Sequence, residues 1–398
     1  MVSPKSGLGM AAIVVVLLAV GRTAAAQTTY AILDLGVLPS DFSSSAYGLN
    51  SQGKVVGISQ SSGGTTRGFL FSGGSMFDIG SLGGDTFANA VNSAGKIAGS
   101  SFSTAAGTFR AFRTAAGATV DGAADLGTFP TAGSLDSFAY GINAAGQTVG
   151  YAYNGTGNHA FRTSANGAID GGSDLGTLGG ANSYANGINA SGQTAGYSDT
   201  APDSNGNSVT HAFRADADGS LHDLGTLGGD NAYATALNDS GQVIGYSLLS
   251  DGSTHAFRTS SNTAISPLTD DLGTLGGTFS YAYSINSSGM TVGYSATVAG
   301  EQRAFVVQGP VMFDLTNLLV NNAAGWTLTD ARAVNTQGQI AGAGIVQGQQ
   351  HAFLLTPTAP SGAPEPGSLA LLAASAGSAL LLALKKIGRG KKTRFRVK

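Results

Sequence analysis

The chain contains no cysteine, so neither disulfides nor thiolate metal sites are available to it. Glutamate occurs only twice, at Glu301 and Glu365, and charged residues make up 11% of the sequence. Long amphipathic helices, which carry Glu and Lys on a wet face, are therefore not expected in the body. Tryptophan occurs once, at Trp326, which limits the broad aromatic surface open to a sugar ring. Glycine, by contrast, accounts for 61 of 398 residues, and hydrophobic residues for 42%. That apolar content is too high for a disordered low-complexity chain.

The two ends differ from the body. Residues 1–26 carry Lys5, an apolar run over 10–20 and Ala24-Ala25-Ala26 before Gln27. This is the order of a secretory signal peptide, with cleavage expected between Ala26 and Gln27; the run is short for a membrane span. At the other end, residues 358–367 form a linker containing Pro364-Glu365-Pro366, and residues 368–384 are free of charge. Residues 385–398 then carry eight Lys and Arg and no acid. An uncharged stretch of that length is at the lower limit for a transmembrane helix, and the basic tail should hold its end on the cytoplasmic side.

Residues 27–360 keep ten of the 20 basic residues but 22 of the 23 acidic ones, a net charge of about −12. A nucleic-acid partner needs a basic footprint, and this body repels phosphate.

The body repeats. Asparagines at 50, 92, 143, 189, 238, 286 and 335 are each followed by glycine at the third and seventh positions beyond them. The Asp of a D-L-G-like element falls at 34, 78, 125, 174, 223, 271 and 314, giving steps of 43 to 49 residues. Seven copies at this period indicate a solenoid, a propeller or an array. Each copy offers four β-type runs; in the sixth they cover 281–286, 290–295, 303–307 and 311–315. Asn at the first place and Gly at the fourth suit a tight turn that closes on a left-handed glycine. Four antiparallel strands in such a unit have the size of a propeller blade.

Four residues before each asparagine stands alanine, two before it a small residue, and directly before it an aliphatic one. Side chains alternate along a strand, so one face of this strand is tiny, as expected where sheets converge on an axis. The first strand of each copy is therefore placed innermost. The mature chain opens with a D-L-G strand over 28–35 that has no copy before it, and ends with a third strand over 351–355 that has no fourth after it. Pairing these two would leave no open edge. The expected fold is an all-β, seven-bladed β-propeller over residues 27–357; a parallel β-helix, the main alternative, would favour shorter coils and no such reciprocal deficit.

His-Ala-Phe stands intact at His159, His211, His255 and His351, with Arg in place of His at Arg110 and Arg303 and a looser version at Arg67-Gly68-Phe69. With the D-L-G-T-L-G-G runs, residues 28–356 resemble the HAF-repeat family of predicted bacterial extracellular proteins, which implies an exported repeat protein and no particular activity. Pro364-Glu365-Pro366, the apolar segment and the basic tail resemble a PEP-CTERM sorting signal. That resemblance implies a Gram-negative bacterium that makes exopolysaccharide or biofilm matrix, export across its inner membrane, and processing by exosortase, a membrane transpeptidase.

Within the repeat, the His or Arg before Ala-Phe is expected to pair with the Asp of the adjacent D-L-G strand, since an unpartnered, partly buried charge is costly. His222 lies outside the pattern and reads as surface. Gly83-Gly84-Asp85 and Gly228-Gly229-Asp230 look like calcium turns, but only two copies have that Asp and calcium wants six to eight converging oxygens. Asn189, Asn238 and Asn286 match a glycosylation triplet by letter, although turn chemistry already explains them. Tyr184, Tyr233, Tyr281 and Tyr283 lie on the bulky strand face, where packing is the plain expectation. Asp330 and Glu301 are the nearest candidates for catalysis, and neither has a visible partner in sequence. The reading is an exported, non-enzymatic surface or matrix protein, structural or adhesive, with no catalytic, cofactor or metal residues. Polysaccharide binding is the alternative and a propeller hydrolase the third.

Overall fold

The computed structural model describes residues 27–358 apart from 131–135, 203–205, 207–208, 321–322 and 324. Ala26, Pro364, Glu365 and Pro366, the apolar segment and the basic tail lie outside the described residues, and Gln27 is exposed. Among the described residues no helix is long and apolar enough to cross a membrane. Structure among the described residues is almost entirely β, with two short 3-10 turns at Gly122–Ala124 and Leu315–Leu318.

Each N-x-x-G asparagine ends a first strand and opens a tight hairpin. The glycine amide at the fourth position donates to the asparagine carbonyl at 2.9–3.2 Å in all seven copies. Those glycines, from Gly53 to Gly338, all have φ between +74° and +86°, the left-handed region that glycine enters without steric cost. In the fourth copy Gly179–Ile188 pairs with Thr194–Thr200, then Thr210–Ala215, then Leu221–Gly225. The first and sixth copies repeat this order, and copies five and six are joined by a single parallel pair, Thr254 with Phe279.

Copies two, three and five differ from the expected four regular strands. Their fourth strand shrinks to one bridge, Phe112 to Asp125, Phe161 to Asp174 and Phe257 to Asp271. In copies one and six a tight turn leads from Ser72 to Ser75 and from Gln308 to Val311. In the three shortened copies the connection is a long loop that does not set hairpin register, so only the D-L-G end pairs. The first strand of the sixth copy also begins earlier than expected, at Gly276.

The strand Thr29–Gly36 pairs antiparallel with Gln349–Thr358, and the sheet order continues to Ile340–Val346 and Thr327–Val334. The last strand thus reaches Thr358, one residue beyond the boundary expected at 357.

The core lies between neighbouring copies. The seven Phe residues of the third strands, from Phe69 to Phe353, are wholly buried, as are the seven alanines from Ala46 to Ala331. One cluster joins Ala195, Ala212 and Leu224 to Ala234, Val243 and Phe257 of the following copy. Another joins Leu35, Ala341 and Ala352 of the last sheet to Ala46, Val55 and Phe69 of the first. The small residue two before each asparagine has a steric reason: a methyl on Gly48 would lie 3.0 Å from the Ala90 Cα, and one on Gly187 would lie 2.8 Å from the Ala236 Cα.

Candidate functional site

The asparagines do more than turn the chain. All seven are buried, and each side-chain oxygen accepts the backbone amide four residues on, at 2.9–3.0 Å. Each side-chain amide then donates to the next copy's asparagine carbonyl at 3.0–3.2 Å. The circuit runs Asn50 to Asn92 and onward to Asn335, which donates back to Asn50. With their amide nitrogens so engaged, Asn189, Asn238 and Asn286 are buried structural groups, not glycan acceptors.

One position before the small residue, every first strand carries a β-bulge. In the fourth copy Ala185 pairs with Gly196 and Gly187 with Ala195, so Asn186 has no partner across the ladder. The same skip leaves Tyr47, Asn89, Tyr140, Thr235, Tyr283 and Arg332 unpaired in the other copies. A bulge breaks strand alternation and re-aims the extra side chain. All seven bulged side chains line one cavity of about 360 Å³, with Tyr197 and Tyr246 completing its wall. Tyr283, expected to be packing, therefore faces the cavity.

Strand alternation alone does not single out this column, because a bulge is set by two strands together. The bulged position reads Tyr, Asn, Tyr, Asn, Thr, Tyr, Arg from copy one to seven, between columns that are fixed in character. Variability at one place inside an otherwise uniform strand was the available signal.

Around the cavity runs an arc of rings. Phe109, Phe138, Tyr151, Tyr184, Tyr197, Tyr233, Tyr246, Tyr281 and Tyr294 follow one another with centroids 4.6–5.5 Å apart, spacings that suit offset or edge-to-face contact. Burial pushes the Tyr246 hydroxyl up to about 12, with the neighbouring tyrosines adding to the effect. Burial likewise raises Tyr151, Tyr197 and Tyr283, so these rings stay neutral hydroxyl donors near neutrality.

The arc stops in the seventh copy, where Asp330 pairs with Ala343 across the ladder. Asp330, which showed no partner in sequence, is ion-paired to Arg332, and Glu301 likewise to Arg303. Burial holds the Asp330 carboxyl above its usual range against the opposing pull of Arg332, and its Oδ1 is buried without a hydrogen-bond partner. The Arg332 guanidinium lies 3.9 Å from the Tyr283 ring centroid and 5.8 Å from that of Tyr47, within cation–π range.

Away from the cavity, the third-strand cations pair as expected. His159, His211, His255 and His351 contact Asp174, Asp223, Asp271 and Asp34 at 2.9–3.0 Å. Arg67 and Arg303 reach Asp78 and Asp314 at 3.3 and 3.8 Å. Arg110 is the exception: it makes no ion pair with Asp125, and its Nε is buried without a partner. Each of the seven Asp residues also accepts the amide two residues on at 2.7–2.8 Å. His222, read as isolated surface, bonds Asp216 at 2.7 Å. Asp85 accepts the Thr66 amide of the preceding copy, and no group of three or more potential metal ligands occurs among the described residues.

The residue after His-Ala-Phe, unremarked in sequence, joins copies. Arg113, Arg162 and Arg258 donate to the carbonyls of Gly146, Gly192 and Gly289 in the next hairpin turn.

The His255 pair has a pH signature. The hydrogen bond that His255 donates to the Asp271 carboxylate raises His255 above its ordinary value, with Asp271's charge adding to it. Burial alone would raise Asp271, but bonds from His255 and the Gly273 amide outweigh it and hold it low. The His255 contribution is complete below an unfolded pKa of about 6.5 and is lost as pH rises through the folded value. The Asp271 contribution is present above about 3.8 and is lost as pH falls through its folded value. His255→Gln should therefore lower the melting temperature more at about pH 5.5 than at about pH 9. Equal losses at both would show that the pair's charge is not what stabilises it.

No family model matches the chain, and no curated protein matches it. Among solved structures it is similar to a puromycin-hydrolyzing peptidase of Mycobacterium tuberculosis, with a TM-score of 0.51 at 14% identity over 84% of this chain. The chain spans 57% of that peptidase's length. It is also similar to a lectin of Burkholderia pseudomallei, with a TM-score of 0.39 at 12% identity over 84% of this chain and 98% of the lectin. A fungal lectin of Aleuria aurantia, described as a six-bladed β-propeller with a novel mode of fucose recognition, superposes with a TM-score of 0.35 at 14% identity over 82% of this chain and 100% of the lectin. The peptidase likeness speaks to fold alone.

Proposed function

We propose that the chain is a seven-bladed β-propeller completed by its own N-terminal strand, and that it serves as an exported, non-enzymatic, adhesive component of the cell surface or matrix. The adhesive element in this reading is a saccharide site in the central cavity. The observation that carries it is the convergence of seven non-repeating, bulged side chains on one space of about 360 Å³. A structural ring has no need to vary one column while holding its neighbours fixed. Hydroxyls and amides inside an aromatic wall suit a hydroxylated ligand, and the volume is within the range of small-molecule pockets.

Seven copies, the returning asparagine circuit and the pairing of Thr29–Gly36 with the last third strand support the closed propeller. Glycoside hydrolysis ordinarily uses two carboxylates, and the residues lining this cavity include none. The non-enzymatic reading itself rests on the sequence, where Asp330 and Glu301 are the nearest catalytic candidates and neither has a visible partner. Export, exosortase processing and anchoring through residues 368–384 rest on the resemblance of the two ends, and the mass of the mature surface form tests them. Loss of about thirty residues from the C-terminus is expected on sorting, while an intact tail would make this a plain membrane-anchored protein.

The cavity reading is tested on a glycan array and by retention on the producing cell's own exopolysaccharide. The wild-type chain should be retained, and the double variant Tyr283→Ala, Asn186→Ala should lose about tenfold or more of its affinity. Blank results on both surfaces would leave only a scaffold role.

A further inference from the structure

We propose that the Arg332 side of the cavity selects an acidic saccharide, a hydroxylated sugar unit carrying one carboxylate. This rests on the saccharide reading above and gives it a ligand class. Arg332 is the one cation among the residues lining the cavity. Its Nε is taken by Asp330 Oδ2, while its two terminal nitrogens have no hydrogen-bond partner among the described residues. Its Cζ lies 3.9 Å from the Tyr283 ring centroid. A guanidinium anchored through Nε and against a ring, with its terminal nitrogens unpaired, can take a carboxylate through two parallel hydrogen bonds.

The rest of the polar wall is arranged for hydroxyls. Asn89 and Asn186 donate their amide hydrogens to the carbonyls of Ala139 and Ala234 at 2.8 Å, which leaves each Oδ1 without a protein donor. Thr235 donates its hydroxyl hydrogen to the Ala282 carbonyl at 2.8 Å, so it too offers lone pairs. The free Oδ1 and hydroxyl oxygens accept hydrogens, which sugar hydroxyls supply and a carboxylate does not, while the lining tyrosine hydroxyls can donate as well as accept. The wall thus combines neutral groups suited to hydroxyls with one charged donor fork, Arg332, suited to a carboxylate. A ligand with several hydroxyls and one acid group satisfies both at once.

The charge of the body restricts where such a ligand can sit. With 22 acids against ten bases in residues 27–360, a polyanion laid across the outer surface is disfavoured. At about 0.1 M salt that repulsion is screened beyond about 10 Å, and Arg332, ion-paired through Nε to Asp330, is the cation lining the cavity. One acidic unit inserted into the cavity is the geometry this favours.

Isothermal titration of the full-length chain with D-glucuronate, D-glucose and acetate tests the proposal. Glucuronate should bind about tenfold or more tightly than either of the others, the gain expected from a charge-assisted pair. Arg332→Gln should bring glucuronate down to the level at which the same variant binds glucose, and Arg332→Lys should restore part of the difference. Glucose binding as tightly as glucuronate to the wild-type chain would overturn the acid preference and leave the saccharide site standing. Acetate binding as tightly as glucuronate would overturn it in favour of a bare anion site. Binding of none of the three would remove both readings. The wild-type comparison decides the matter even if Arg332→Gln fails to fold.

Discussion

Gly196→Ala is expected to destabilise the chain by about 3 kcal/mol or more, the upper range for an atom forced into a packed interior. Gly196 does not have the positive φ that would reserve its place for glycine. The reason is space: a methyl there would lie 2.0 Å from the Tyr184 carbonyl oxygen and 2.9 Å from the Phe213 ring. That oxygen is close because of the bulge at Asn186, which displaces the strand opposite Gly196. The other six copies show the same approach, with methyl-to-oxygen distances of 1.8–2.0 Å at Gly57, Gly99, Gly150, Gly245, Gly293 and Gly342. The second glycine of the repeat and the cavity-lining residue are therefore one device, since relieving the clash requires moving the bulge.

Gly192, four residues earlier, makes the comparison sharp. It has φ +86°, and a methyl there would come nearest the end of the flexible Gln147 side chain, at 3.2 Å, with the Ala217 Cβ at an ordinary 4.0 Å. Gly192→Ala should cost about 1–2 kcal/mol, the price of a left-handed residue with a Cβ. Urea unfolding of the two variants separates the mechanisms. Losses of equal size would mean that the backbone relaxes around Gly196 and that the bulge is soft.

The same contrast shows how far the sequence could be read. The fixed columns carried the hairpin turn, the small face of the first strand and the pairing of His255 with Asp271, because each rests on a local rule: turn φ, side-chain size, or a charge needing a neighbour. The bulge escaped because it is set by two strands together. Strict alternation would have put Tyr281 and Tyr283 on one face, whereas the bulge sends Tyr283 alone to the cavity and leaves Tyr281 in the ring arc. The second role of the asparagines escaped for a related reason. Asn189 looks like a complete turn residue within its own copy, and only the position of Asn238 in the next copy shows what its amide reaches. The shortened fourth strands of copies two, three and five follow from loop length, which the spacing of Phe112 and Asp125 contained but strand propensity did not weigh.

Removing Thr29–Gly36, by starting the chain at residue 37, is expected to abolish cooperative folding. The strand carries Tyr30 and Leu35, both buried, and burying two such side chains contributes about 1.5–3 kcal/mol each. Tyr30 sits in one core cluster with Val306, Leu315 and Phe353, and Leu35 in another with Ala46, Val55 and Phe69, so both interfaces of the last sheet lose a member. Asp34 leaves with the strand, which strands His351 without its carboxylate. The backbone of Gln349–Thr358 loses its ladder from Thr358 to Ala352, exposing an edge beside Phe353, Leu354 and Leu355. An open apolar edge is a template for pairing with another chain. Together these losses rival the roughly 5–15 kcal/mol of net stability that a folded chain has, so the expected product is an aggregated or loosely collapsed species without a sharp melting transition. Adding a synthetic peptide of residues 28–37 during refolding should restore the transition, because the missing strand makes its contacts by ladder and burial and needs no covalent continuity. A truncated chain that stays monomeric and melts as the full chain does would show that the last sheet holds without its N-terminal strand.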